Sequence, residues 1–204
     1  LLNVCRSLNL DETVVFLDSF DDAALNTVHW DSAPAWTIDG TASSGNVTTT
    51  GGYARASSVG NELRVGKLKA KSISTSALRS VSINTQTQNT GNVWSVLMDM
   101  DNTTPVPAAS IRLKGAFGEV TNDYTLRLYI NEAQVGFFRD YNVGGHSDLK
   151  LTIDANGTIK GYWKSQAAPS IIHTPSGYVP AGGRVGFALK ASGVANECIT
   201  ANFI

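Results

Sequence analysis

Apolar and polar residues alternate with period two along most of the chain, and that pattern sets the expected fold. Leu63 and Val65 alternate with Glu62, Arg64 and Gly66, and Ile111 and Leu113 with Ser110, Arg112 and Lys114. Tyr124, Leu126, Leu128 and Ile130 then alternate with Thr125, Arg127, Tyr129 and Asn131. Leu149, Leu151 and Ile153 alternate with Lys150, Thr152 and Asp154, and Val185, Phe187 and Leu189 with Arg184, Gly186, Ala188 and Lys190. Successive side chains of a strand point to opposite faces, so each pattern predicts a strand with one face on a core and a polar face opposite. Leu78, Val81 and Ile83 mark a similar strand in a Ser/Thr-rich segment, and Thr13 to Leu17 opens the domain with another. Val93-Trp94-Ser95-Val96-Leu97-Met98 is nearly continuous in apolar residues, as a strand covered on both faces requires. Asn156-Gly157 separates two strand patterns and predicts a hairpin, since both residues tolerate positive φ. Only Asp21 to Val28 reads as a helical turn.

These elements predict an all-β fold, a two-sheet antiparallel β-sandwich of jelly-roll type. No linker or solenoid repeat divides the chain, which gives an N-terminal arm over residues 1–12 and a single domain over 13–204. The arm carries Leu1, Val4 and Leu8 and is suited to docking on a protein assembly partner.

Composition narrows the function classes. With 204 residues the chain can bury about 70% of its unfolded surface, so it needs no staples to fold. Charged residues make up 16%, the net charge is −1, and Lys and Arg are scattered, which argues against a nucleic-acid partner. No apolar run approaches the roughly 20 residues of a membrane span. Without a basic-then-apolar leader or an initiator Met, the chain reads as a processed form or a fragment.

Three segments together resemble the concanavalin A-like lectin/glucanase superfamily, particularly its laminin-G-like members. The first is Val15-Phe16-Leu17-Asp18-Ser19-Phe20-Asp21-Asp22 with Trp30 and Trp36 behind it. The second runs from Leu149-Lys150-Leu151-Thr152-Ile153 through Asn156-Gly157 to Ile159-Lys160-Gly161-Tyr162. The third is Gly183-Arg184-Val185-Gly186-Phe187, followed by Ile199 to Ile204. The resemblance covers the chain from about residue 13 onward and implies the jelly roll. In such a fold the terminal strands commonly lie side by side, so Cys5 and Cys198 are either two unrelated thiols or a bridge between those strands.

Glycoside hydrolysis on this scaffold implies two facing carboxyl groups, usually a Glu-x-Asp-x-x-Glu run on one strand, and the sequence has none. Lyases of the scaffold imply a Gln/His pair with Tyr and Arg; His29, His146 and His173 each fall in a segment that reads as loop. The expectation is therefore a domain without enzymatic activity. No cofactor is required. Ca²⁺ is the metal its loops suit best, with Asp99, Asp101 and Asn102 as candidate ligands and Asp18, Asp21 and Asp22 as a second cluster; turn capping is the alternative for each.

Sugar recognition needs aromatic rings for pyranose faces beside groups that hydrogen-bond hydroxyls. Parity places Arg112, Arg127 and Tyr129 on the polar face of neighbouring strands, and Trp94 joins them as a candidate stacking ring. The leading expectation is a lectin-like module that binds glycans or another surface ligand. The alternative is a structural protein of a virion or cell surface. Either would be extracellular, at a cell surface or in a virion.

Overall fold

The computed structural model describes residues 18–31, 37–38, 41–42, 47–49, 52–56, 62–68, 79–85, 91–100, 111–118, 123–141, 148–164, 166–176, 184–191 and 198–203. In chain order the strands are β1 (Trp30–Asp31), β2 (Thr37–Ile38), β3 (Thr41–Ala42), β4 (Thr48–Thr49), β5 (Ala54–Ala56), β6 (Glu62–Leu68), β7 (Arg79–Thr85) and β8 (Val93–Met100). They continue with β9 (Ile111–Phe117), β10 (Tyr124–Ile130), β11 (Ala133–Asp140), β12 (Leu149–Ile153), β13 (Ile159–Trp163), β14 (Ile171–His173), β15 (Arg184–Ala191) and β16 (Cys198–Phe203). One seven-stranded sheet has the order β1-β6-β15-β8-β9-β10-β11, and a second has the order β14-β13-β12-β7-β16-β5-β4. Strands β2 and β3 form a separate pair. The pairings are antiparallel, the sheets stack as a jelly-roll sandwich, and the described residues contain no helix.

The predicted parity fills the space between the sheets. The first sheet contributes Trp94, Val96, Met98, Ile111, Leu113, Tyr124, Leu126, Leu128, Phe187 and Leu189. The second contributes Val81, Ile83, Leu149, Leu151, Ile153, Ile159 and Trp163. Each fully buried Leu or Ile contributes about 1.5–3 kcal/mol. Two glycines allow the closest approaches: a Cβ on Gly115 would lie 2.7 Å from the Trp94 indole, and one on Gly161 would lie 2.6 Å from Leu113 Cδ1.

Asp18 closes one end of the core. Its Oδ1 accepts the Phe20 N–H at 2.7 Å and its Oδ2 accepts the Trp30 indole N–H at 2.6 Å. Phe20 and Trp30 then pack on Phe187 with ring centroids 5.5 and 5.2 Å away. At the far end Asp140 accepts from Trp163 Nε1 at 2.8 Å and Lys164 Nζ at 2.9 Å, tying the edge of the first sheet to the second.

Several expectations need correction. Residues 21–28 form bends and turns because the Asn26 carbonyl takes the N–H groups of His29 and Trp30, which turns the chain directly into β1. In the Asp154–Thr158 hairpin only Gly157 takes positive φ, at 81°; the Asn156 side chain instead accepts the Thr158 N–H at 3.0 Å. His173 sits in β14 rather than a loop. The arm 1–12, the strand 13–17, Cys5 and His146 lie outside the described residues, and of Cys198 only the backbone register opposite Ala56 is described.

Candidate functional site

The face of the first sheet that points away from the core carries the charged residues, and register lines them up in three rows across β8, β9, β10 and β11. Leu97, Arg112, Tyr129 and Gln134 form one row, Ser95, Lys114, Arg127 and Phe137 the next, and Val93, Ala116, Thr125 and Arg139 the third. Paired residues of adjacent strands share a face and stand about 4.5–5.5 Å apart, so these rows are contiguous. Asp123 precedes the third row on β10, and Tyr141 follows Arg139 by two residues.

Three guanidiniums lie on three aromatic rings along this face. Arg112 stands 4.2 Å from the Tyr129 centroid, Arg127 5.0 Å from Phe137, and Arg139 4.7 Å from Tyr141. Each guanidinium also has a fixed acceptor. Arg112 Nη2 donates to Glu132 Oε2 at 3.0 Å, Arg127 Nη1 donates to Gln134 Oε1 at 2.8 Å, and Arg139 Nε donates to Asp123 Oδ2 at 2.6 Å. A second, very short contact joins Arg139 Nη2 to the same Asp123 oxygen. Phe137 and Tyr141 are 49% and 70% exposed, and Arg127 and Tyr129 are half-buried. Rings held open to solvent beside oriented donors can stack on a sugar face and hydrogen-bond its hydroxyls.

Of the four predicted ligand residues, the structure brings three together on this face and sends one elsewhere. Trp94 lies on the core side, fully buried, 6.3 Å from Trp163 and 6.2 Å from Tyr124, so it offers no ring to a ligand. Its parity was hidden because β8 is apolar on both faces. Arg112 lies on the predicted face but is also fully buried, as is Lys114 at 7% exposure; β9 is covered on both sides rather than half exposed. Arg112 therefore packs on the Tyr129 ring without itself reaching solvent, while Arg127 and Tyr129 reach the surface. Phe137, Gln134, Arg139 and Tyr141 were missed altogether. Strand β11 does not alternate cleanly, because the register of its pairing with β10 shifts between Leu128 and Tyr129.

The turn that delivers β11 is unusual in composition. Ile130 pairs with Ala133, and the two residues between them, Asn131 and Glu132, take φ of 50° and 62°. Two-residue hairpin turns of this kind favour glycine at the second position. Here Glu132 occupies it and sends its carboxylate to Arg112.

Asp101 and Asn102 lie outside the described residues, as does the side chain of Asp99. Asp18 spends both oxygens on Phe20 and Trp30, and Asp21 Oδ2 accepts from Ser19 Oγ at 2.6 Å, which is turn capping. Among the described residues no three His, Cys, Asp or Glu side chains are grouped to hold a metal, and no helix is long and apolar enough to cross a membrane.

No protein-family model and no curated protein matches the sequence. Solved structures do. An endo-1,3-β-glucanase from Streptomyces sioyaensis superposes with a TM-score of 0.68 at 12% identity, over 94% of this chain and 94% of that one. The chain has the concanavalin A-like fold. A β-glucanase of Bacillus licheniformis matches with a TM-score of 0.60 at 17% identity, over 92% of this chain and 95% of the other. A legume lectin-like domain from Entamoeba histolytica gives 0.59 at 7% identity, over 87% and 89%. This range overturns the expectation of a non-enzyme. Glucanases stand among the structural neighbours at similarity equal to or above that of the lectin-like domain, so this concanavalin A-like scaffold is one on which hydrolases are built as well as lectins.

Proposed function

We propose that this domain recognises carbohydrate on the outer face of β9, β10 and β11, with Arg127, Tyr129, Phe137, Gln134 and Tyr141 as the contacting residues and the buried Arg112 packed on Tyr129. The observation that carries the reading is the set of three rings on that face, each with a guanidinium 4.2–5.0 Å from its centroid. Both glucanases and a lectin-like domain share the fold, which supports a sugar as the ligand class. A glycan array probed with the parent chain and with Phe137→Ala, Arg127→Ala and Tyr129→Ala tests it. Loss of binding in the variants is the expected result, with the exposed Phe137→Ala protein melting within about 3 °C of the parent, because exposed substitutions usually stay within roughly 0.5 kcal/mol. Binding unchanged in all three removes the site.

A further inference from the structure

We propose that the ligand lies lengthwise along the edge strand β11, its consecutive sugars stacked in turn on Tyr129, Phe137 and Tyr141, so that the site takes an internal stretch of a polysaccharide and not a terminal sugar. This rests on the carbohydrate reading above and adds the ligand's length and course. Four large hydrophobic side chains are exposed among the described residues, Val28, Phe137, Tyr141 and Ile172, and two of the four belong to one face of β11 and its end. Phe137 and Tyr141 share the parity of Arg139, whose guanidinium lies over the Tyr141 ring. Strand β11 is the last in its sheet, and the described residues place no strand beyond it, so the two rings stand at the sheet's rim.

Register sets the spacing. Tyr129 lies opposite Gln134 and Arg127 opposite Phe137, which makes Tyr129 and Phe137 diagonal neighbours about 7–8 Å apart. Tyr141 follows four residues beyond Phe137, about 13 Å at the usual rise of a strand. The row therefore spans roughly 20 Å, and a pyranose, close in size to one aromatic ring, covers a single ring of the three. The exposed Gln134 beside the first ring and the partly exposed Arg139 between the second and third supply hydrogen-bonding groups for hydroxyls along the way. Each ring has a guanidinium over one face, which holds its orientation and leaves less side-chain freedom to lose on binding. Once a chain is seated on one ring, its next sugars meet the other rings at high effective concentration, and affinity rises with length until the row is filled.

The test is calorimetric titration of the whole chain with gluco-, manno-, galacto- and xylo-oligosaccharides, each as a disaccharide and a hexasaccharide. In the series that binds, the hexasaccharide should bind about tenfold or more tighter than the disaccharide. Tyr141→Ala should bring that ratio down towards one, whereas a merely structural role for Tyr141 would weaken both lengths alike. Tyr141 is 70% exposed and lies past the end of β11, so the variant should fold as the parent does. Equal affinity for the two lengths overturns the lengthwise course and leaves the carbohydrate site standing. A gain with length that Tyr141→Ala leaves intact overturns the course along β11. Binding of no hexasaccharide defeats the proposal, and a blank glycan array beside it defeats the carbohydrate reading as well.

Discussion

Replacing Gly115 with alanine tests the placement of Trp94 on which the site assignment turns. The new Cβ would lie 2.7 Å from both Cε2 and Nε1 of the Trp94 ring and 3.0 Å from Cζ2. Favourable carbon contacts lie near 3.5–4.0 Å, so the overlap is about 1 Å. The ring has little room to retreat, because it is fully buried and stacked at 6.3 Å on Trp163. Gly115 is itself fixed by pairing with both Trp94 and Leu126. Overpacking of this kind costs about 1–3 kcal/mol, and a rigid ring places the value near 3. Trp94→Phe removes the atoms that clash and costs ~1–2 kcal/mol alone through the cavity it leaves. The pair should then be coupled: Gly115→Ala with Trp94→Phe is expected to be ~1–3 kcal/mol more stable than the sum of the single effects. Urea titrations of the four proteins, followed by tryptophan fluorescence and far-UV circular dichroism, give the cycle. Strict additivity, or a Gly115→Ala protein as stable as the parent, would refute the core position of Trp94.

Asp18→Ala should cost about 2–3 kcal/mol in the same assay, because it removes the acceptor that Asp18 gives the buried Trp30 N–H, while Asp18→Asn, which keeps one oxygen acceptor, should cost clearly less. Glu132→Gln should destabilise by ~1–3 kcal/mol, since Arg112 is fully buried and loses a charged partner. Glu132→Gly should not be much worse, because relief of the positive φ returns about 1 kcal/mol; a neutral Gln variant would show that the pair contributes nothing. The Asp154 hydrogen bond, with Coulombic attraction added and desolvation opposing, raises the Lys160 amino group above its ordinary 10.5. That contribution is present below pH 10.5 and is lost as pH rises through the folded-state value. Lysine side-chain NMR should find the titration of Lys160 lowered in Asp154→Asn.

Fold was legible in most strands where one parity was clearly apolar; β6 is an exception, because its register sets Leu63 and Val65 opposite Lys190 and Ala188 and not opposite the core residues Leu189 and Phe187. Leu126 and Leu128, Leu149 and Leu151, and Phe187 and Leu189 all face the core as their alternation requires. Legibility failed where alternation carried no information. In β8 both parities are apolar, so the side taken by Trp94 is decided by Gly115 on the next strand, a pairing no local pattern reveals. In β9 the polar parity is visible, but burial of Arg112 and Lys114 depends on what covers the sheet. Strand β11 was lost twice over. The shift in register breaks its period, and its turn places Asn131 and Glu132 where Asn-Gly would have announced a hairpin. Half of the candidate site lies on that strand.

Strand β15 has a consequence for how the protein is made. It sits between β6 and β8, with Ala188 opposite both Val65 and Ser95. The second sheet repeats the arrangement, with β16 lodged between β5 and β7. Each sheet thus receives an interior strand that is synthesised well after the strands flanking it. At about 5–20 residues per second, the stretch from Met100 to Ala191 takes roughly 5–20 s to synthesise. Throughout that interval β6 and β8 have edges awaiting the same missing strand. Such a gap invites pairing with another nascent chain, and the long sequence separation of its native partner makes closure slow. The yield of folded protein should therefore depend on translation rate and on chaperones that shield strand edges more than on the stability of the finished sandwich.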